Sequence, residues 1–451
     1  MTSNDAQLRE LRSAVQGHVL LPSSDGYGGA RRIFNAMIDR RPALIARCER
    51  AADVVACVGF ARAHGLDVSV KGGGHNVSGK AVCEGGLMID LSLMKGVRVD
   101  AQRRTVRAEA GLTLGELDRA CQAFGLATPT GNVSPTGIAG LTLGGGIGWL
   151  NGKHGLACDN VLSVDIVTAD GKLRTASASD HADLYWAVRG GGANVGVVTS
   201  FEYRLHPVGP VLAGAIAWPI GRAPRVLAFY DELARGCPDE LCVNAGFGLA
   251  EDRTLVLGVA VAYVGDLDAG ERLLKPLRSL EHPIAAAIGP MSYVDLQRGG
   301  DGGFPNGRRH YWKGGFLRRL GSDVIDVLTH FATTCPSAFT QIGLQQMHGA
   351  AARVAPTETA FAHRHDQWDC LMLSQWDRPD EDETNIRWTR DFHAAMTPHL
   401  ERAVYVNDLG GDEPDRVRAA YGVNYERLVA VKAKYDPGNF FRGNQNVVAA
   451  A

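Results

Sequence analysis

Residues 140–161 read GLTLGGGIGWLNGKHGLACDNV, and the purpose of those glycines decides the fold. A G-x-G-x-x-G turn between a strand and a helix would make this a dinucleotide-binding α/β unit. Started at Gly144, that pattern needs a third glycine at 149, where Trp149 stands, and NGKHG at 151–155 interrupts any following helix. A P-loop fares no better, because no glycine loop runs into Gly-Lys-Ser or Gly-Lys-Thr. What is left is bare backbone, able to present successive N–H groups to phosphates as a nest.

The same texture recurs along the chain. Glycine makes up 55 of 451 residues, about 12% against an average near 7%, and clusters at 72–74, 137–155, 190–196 and 299–315. In VKGGGHNVSGKAV (70–82) a histidine follows three glycines at the end of an alternating apolar run. On that stretch alone, a flexible turn with a surface histidine and a ligand loop are equally good readings. Composition narrows the field. A formal net charge of −2 leaves no electrostatic footprint for nucleic acid or an anionic membrane. No run reaches the roughly 18 apolar residues of a membrane span. MTSNDAQLRELR lacks the apolar core of a secretory signal. Nine scattered cysteines include no C-x-x-C pair, so neither a metal site nor a disulfide framework is expected. They read as reduced, mostly buried thiols of a cytoplasmic protein.

Local patterns give an α+β chain. ADVVACVGFARAHG (52–65) has helical spacing, LDVSVKGGGH (66–75) is a strand entering the glycine loop, and GLMIDLS (86–92) and GVRVDAQRRTVRAEAG (96–111) are further short strands. Thr113 and Glu116 form a capping box before a helix that Gly125 ends. NVLSVDIVTADGKLRTAS (160–177) predicts a hairpin turning at Asp170-Gly171. After LHPVGPV (205–211), long alternating strands such as TLVLGVAVAYVG (254–265) are separated by amphipathic helices, which predicts an antiparallel sheet with helices as a separate domain. NYERLVAVKAKYDPGNFF (424–441) is a helix stopped by Asp436-Pro437-Gly438.

Taken together, VKGGGHNVSG, GIAGLTLGGGIGWLNGKHGLACDNV, DLYWAVRGGGANVGVVTSF and YERLVAVKAKYDPGNFFRGNQNV resemble the berberine-bridge-enzyme and 6-hydroxynicotine-oxidase family of flavoproteins, in the right order over nearly the whole chain. The resemblance implies a PCMH-type (vanillyl-alcohol-oxidase-like) FAD-binding domain from residues 1–205, a substrate-binding domain over 206–420, and a C-terminal return, 421–451, to the FAD-binding domain. It implies FAD contacts from Lys71, Gly72, Gly73, Gly74, His75, Asn76, Ser78 and Gly79. Further contacts are implied at Val133, Thr136, Gly137, Gly140, Gly144, Gly145, Gly146, Gly148, Gly155 and Asn160. Gly196, Val197 and Val198, with Asn444 and Asn446 in the tail, complete the set. In this family the histidine after the glycines bonds covalently to the flavin's 8α-methyl carbon, which makes His75 the anchor. The second anchor of many relatives, a cysteine, falls at Val133, so a single covalent link is implied. Cys158 reads as a packed thiol. Thr136 falls at the family's gatekeeper position for oxygen, where it leans toward an open path or simply satisfies a turn.

For substrate chemistry, alternation puts Gln341, Gly343, Gln345 and Met347 on one strand face, from which Gln345 faces a cavity or solvent. Tyr311 and Lys313 in RRHYWKGGF offer an aromatic and a cation, or an amphipathic strand edge. Relatives carry Y-x-N and then a tyrosine near the flavin; Tyr405 and Asn407 match, but Asp408 stands next. That departure puts a carboxylate where a base is needed, or a turn-former ahead of Gly410-Gly411. The expected activity is an FAD-dependent oxidase taking a hydride from a C–N or C–O bond of a small amine, alkaloid, alcohol, sugar or polyketide, with oxygen as acceptor. A dehydrogenase of the same fold, or a flavin-loaded protein without turnover, are the alternatives.

Overall fold

A computed structural model describes residues 3–250 and 252–448. The first half builds two sheets. β1 (His18–Leu20), β2 (Leu44–Arg47), β3 (Val68–Lys71) and β4 (Leu87–Asp90) form a mixed sheet in the order β1-β2-β4-β3, with β4 parallel to both β2 and β3. β5 (Val97–Asp100), β6 (Thr105–Glu109), β8 (Val161–Val167), β9 (Leu173–Ser177) and β10 (Val197–Arg204) form an antiparallel sheet ordered β5-β6-β10-β8-β9. In addition, β7 (Leu126–Ala127) pairs with β11 (His206–Pro207). The helix Ala51–Ala63 buries Val54, Cys57, Val58 and Ala61, the stripe its 3.6-residue period dictates. Thr113 and Glu116 close a capping box on the helix Leu114–Gln122. The β8–β9 hairpin turns at Asp170-Gly171, where Gly171 takes φ +77°.

The second half is one seven-stranded antiparallel sheet, ordered β15-β12-β14-β13-β17-β18-β16. Its strands are β12 (Val211–Pro219), β13 (Leu241–Leu249), β14 (Leu255–Tyr263), β15 (Ala285–Met291), β16 (Arg309–Leu317), β17 (Gln341–Met347) and β18 (Gln367–Trp376). One face carries Leu257, Val259, Ile342, Leu344, Trp368 and Met372 into a core shared with the helices Ala223–Gly236, Leu267–Arg278, Ser322–Thr333 and Asp382–Met396. Alternation puts Gly246, Gly258, Gly314 and Gly343 on the opposite face, toward the first half of the chain. A sheet face floored by glycine leaves room above it.

The first core joins residues from Leu11 to Leu205 with Val404, Val406, Leu409, Val417, Tyr421, Leu428 and Val447. The chain therefore re-enters the first body by Val404, ahead of the boundary at 421 that the sequence suggests. Asn194 anchors the return: it accepts from the Val447 N–H at 2.9 Å and donates to the Gln445 carbonyl at 3.2 Å. The buried Lys432 ammonium binds the Asn194 and Phe441 carbonyls and Asp436 within about 3 Å.

Candidate active site

Between the glycine-floored sheet face and the glycine loops lies a cavity of about 440 Å³, within the range of small-molecule sites. Segments far apart in sequence meet there: the loop 72–78 after β3, residues 131–147, β13, β16, β17 and β18 of the sheet, 405–408, and the tail at 443–445.

In the first loop, Gly72, Gly73, Gly74, His75, Asn76 and Ser78 all line the cavity. Gly73 is glycine because another backbone crosses it. A Cβ there would sit 2.4 Å from the Gly137 nitrogen, and one at Gly137 would sit 2.3 Å from the Gly73 nitrogen. Two of the glycine clusters are thus clamped against each other. The His75 ring stacks on Phe34 with centroids 4.0 Å apart, and Phe34 stacks on His310 at 4.2 Å. Burial holds the His75 imidazole down, to about 4, so it is neutral at neutral pH, and its enclosed Nε2 has no hydrogen-bond partner. A neutral imidazole with a spare nitrogen is the form able to make a bond to carbon. Asn76 donates from Nδ2 to the Asn407 carbonyl at 3.3 Å, and its Oδ1 accepts from the Ser78 N–H at 3.0 Å. Lys71 and Gly79 lie outside the lining. Lys71 donates to the Ala30 carbonyl at 2.7 Å with its stem beneath Gly74, so it props the loop from behind.

Along the second glycine cluster, Val133, Thr136, Gly137, Gly140 and Gly144 line the cavity. Thr136 also makes a turn, donating its N–H to the Val133 carbonyl at 3.1 Å. Gly145, Gly146, Gly148, Gly155, Asn160, Gly196, Val197 and Val198 lie outside that lining, and their surroundings show why. A Cβ at Gly148 would meet the Thr130 carbonyl at 2.0 Å, and Gly145, Gly146 and Gly155 hold φ of +129°, +87° and +79°. Asn160 donates to the His154 and Leu156 carbonyls at 2.8 and 2.9 Å, while Val197 and Val198 pair with β8. These residues shape the wall from behind. Cys158 is fully buried beside Asp159, its thiol pushed up to about 12 by desolvation, as befits a packed thiol.

On the sheet side, Gln345 lines the cavity and donates to the Ile147 carbonyl at 3.2 Å. Tyr311 does not line it, and strand parity is the reason. In β16 the cavity side belongs to Trp312 and Gly314, so Tyr311 and Lys313 point the other way. There Tyr311 donates to Asp412 at 2.5 Å and accepts from Arg390 at 3.0 Å, and Lys313 pairs with Asp412 and Glu413 at 3.0 Å. The sequence reading chose the wrong neighbour: Trp312 is the aromatic that meets the cavity.

Tyr405 and Asp408 both line the cavity. The buried Tyr405 hydroxyl accepts from the Gly146 N–H at 2.9 Å and from Asn407 Nδ2 at 2.8 Å. Its own proton remains free to donate. Burial first, then the Asp408 and Asp369 carboxyls, push its ionisation up, so the hydroxyl keeps its proton. Asp408 ends a short 3₁₀ turn, Val406–Asp408, and is 7% exposed; its Oδ2 sits 3.1 Å from where a Cβ on Gly314 would be. Burial, and then Asp369, raise its carboxyl well above the usual range. Asp369 is fully buried on the cavity-facing side of β18, in register with Gln345 on one side and Phe316 on the other. Sequence reasoning missed it, along with Asn244 and Trp312. The signal was a lone carboxylate in the apolar strand QWDCLMLSQW (367–376).

In the tail, Asn444 lines the cavity and donates to the Ala193 and Phe441 carbonyls at 2.8 and 3.0 Å, which leaves its Oδ1 enclosed and unpartnered. Asn446 lies just outside the lining, also with an unpartnered Oδ1.

These residues fit FAD. The cavity runs from backbone-rich loops to the sheet face, and at His75 Nε2, Asn132 Oδ1, Trp312 Nε1 and Asn444 Oδ1 it is edged by polar atoms that lack protein partners. Buried polar atoms are almost always paired, so a row of orphans along one cavity marks where a polar ligand lies. Comparison with known proteins agrees. Residues 42–177 match the FAD binding domain family, and residues 404–448 match the family described as berberine and berberine like. An FAD-linked oxidoreductase of Dictyostelium discoideum is 31% identical, across 98% of this chain and 96% of its own length. The (R)-6-hydroxynicotine oxidase of Paenarthrobacter nicotinovorans is also 31% identical, across 96% and 97%. The crystal structure of 6-hydroxy-D-nicotine oxidase from Arthrobacter nicotinovorans superposes with a TM-score of 0.88, at 31% identity, covering 96% of this chain and 98% of that one.

Proposed function

This chain belongs to the berberine-like family of FAD-linked oxidoreductases, and from that premise we propose that it is an oxidase of a small organic substrate, with FAD bonded covalently to His75 alone. In this reading the enzyme removes a hydride from a C–N or C–O bond and passes the electrons to oxygen, forming hydrogen peroxide. The observation that carries the proposal is the convergence, on one cavity, of an enclosed neutral histidine with a spare nitrogen and the Asp408 carboxyl in the turn at 406–408.

When bound, FAD supplies a ring that accepts a hydride equivalent; the remaining work belongs to the chain. His75 holds the ring, and with valine at 133 there is no thiol for a second bond. Trp312, Phe304, Leu371 and Leu373 make the substrate compartment apolar. Gln345 and the Tyr405 hydroxyl orient a polar substituent. An amine or alcohol must lose an N–H or O–H proton as its hydride departs, and Asp408 is the group placed to take it.

Anaerobic mixing with amines, alcohols and aldoses, followed at the flavin absorbance, tests this reading. Amines come first, because a relative is named for 6-hydroxynicotine. Bleaching by one class, followed by rapid recovery of colour in air, is the expected result. Bleaching with slow recovery makes the protein a dehydrogenase, and no bleaching across the three classes removes the proposed activity.

A further inference from the structure

Asp369 has no role in the reading so far, yet burying its carboxyl is costly. It lies on β18, next to the edge strand, fully buried, and neither of its carboxyl oxygens meets an N–H or O–H donor. A buried carboxylate without donors is expensive, by several kcal/mol in general. The group it approaches is Asp408, within hydrogen-bonding reach, and Asp408 Oδ2 is itself enclosed and unpartnered. As two carboxylates they would set acceptor against acceptor. One proton between them turns that clash into a hydrogen bond.

We propose that Asp369 is a positioning residue for the base: its carboxyl and that of Asp408 share a single proton, and the pair, not Asp408 alone, receives the proton that the substrate gives up. The inference rests on the reading of Asp408 as base. It extends that reading by assigning Asp369 a task and by fixing the protonation state of the site. The resting pair carries one proton and one negative charge. The substrate's N–H or O–H bond breaks, its proton passes to the pair, and the pair then holds two protons and no charge. The hydride leaves the adjacent carbon separately, so charge and atoms balance.

The surroundings suit a pair and not an isolated ion. Gly314 has no side chain to fill the space under Asp408. Phe316 and Gln345 flank Asp369 on the sheet, and the two carboxyls lie close enough to Tyr405 to raise its ionisation. The other charged groups acting on Asp408 are Arg416 and Glu413, which bind each other at 2.5 Å. Arg416 also donates to the Gly314 carbonyl at 2.9 Å, so its charge is already engaged. Two carboxyls in so dry a place ionise in two steps that belong to the pair. Burial raises both carboxyls, and the proximity of Asp369 raises Asp408 further.

Infrared spectroscopy of the FAD-loaded protein, without substrate, tests the shared proton. Isotope-labelled aspartate identifies the carboxyl band, and an Asp118→Asn background removes the other buried aspartate whose carboxyl burial raises. At about pH 8, above the usual carboxylate range, the parent should retain one protonated aspartate band that shifts in heavy water. Asn is the isostere of a protonated acid, so Asp369→Asn and Asp408→Asn should each fold, bind FAD, and lose that band. Its pH titration should show two steps in the parent and one in each variant. A band that survives Asp369→Asn, or a parent with no band at all, overturns the proposal. The measurement uses no substrate, so its failure leaves the base assignment standing. Conversely, unaltered flavin reduction in Asp408→Asn would remove the base while the shared proton stood.

Discussion

Asp118→Asn should make this protein more stable above neutral pH and leave it nearly unchanged below about pH 4. Asp118 lies on the helix Leu114–Gln122, 1% exposed, where the two halves of the chain meet. Gln297, on the helix Tyr293–Arg298, donates from Nε2 to Asp118 Oδ2 at 2.9 Å and to the Thr130 hydroxyl at 2.8 Å, while Asp118 Oδ1 has no partner. Desolvation, offset only partly by that hydrogen bond and by Arg119, lifts the carboxyl from 3.8 to about 7. Below the unfolded value, folded and unfolded chains both hold the proton and the group has no effect. As pH rises toward 7 the unfolded chain releases the proton while the folded one keeps it, so stability falls; above 7 the loss levels off. Its full size is roughly 4 kcal/mol, at about 1.4 kcal/mol per pH unit. Asparagine keeps the shape and the acceptor for Gln297 and never ionises. Urea denaturation of parent and variant should show the stability difference growing across about pH 4 to 7 and reaching a few kcal/mol by about pH 8. A difference independent of pH would refute the reasoning, because a cavity or a lost hydrogen bond has no reason to follow the titration of a carboxyl.

His75→Ala should convert covalent FAD to dissociable FAD: acid precipitation leaves the parent pellet yellow and releases the variant's colour to the supernatant. A colourless parent pellet would remove the covalent link. Asp408→Asn should lower the anaerobic rate of flavin reduction by about 10²-fold or more at unchanged flavin content, and in the parent that rate should rise with pH as the raised carboxyl pair gives up its first proton. A parent profile that is flat with pH would count against a carboxyl base. Deleting residues 440–451 removes Asn444 from the cavity and Gln445, whose Nε2 binds the Leu409 carbonyl at 2.9 Å. Flavin incorporation should be lost, and normal flavin content in the truncated protein would make the tail a surface extension.

Much of this protein was legible in its sequence, because the informative features are local. Three glycines before His75, Val133 ahead of the triplet at Gly144, and Asn444 beyond the helix stop are runs whose order along the chain is enough to recognise, and all of them meet at one cavity. Alternation likewise grouped Gln341, Gly343 and Gln345 on a single face. What alternation does not give is which of its two faces turns inward. That depends on which helices cover the sheet, and it is why Trp312 occupies the place that Tyr311 was expected to take. The reason for glycine at 73 was equally hidden: it is Gly137, 64 positions away, whose backbone passes within 2.4 Å of the missing Cβ. Asp369 and Asp408 come from a strand and a turn that only the seven-stranded register and the return of the chain at Val404 bring together. Sequence fixes what each residue can do as an acid, a nucleophile or a bare backbone. Proximity and exclusion of water decide which of them does it, and both arise only when distant segments share one buried volume.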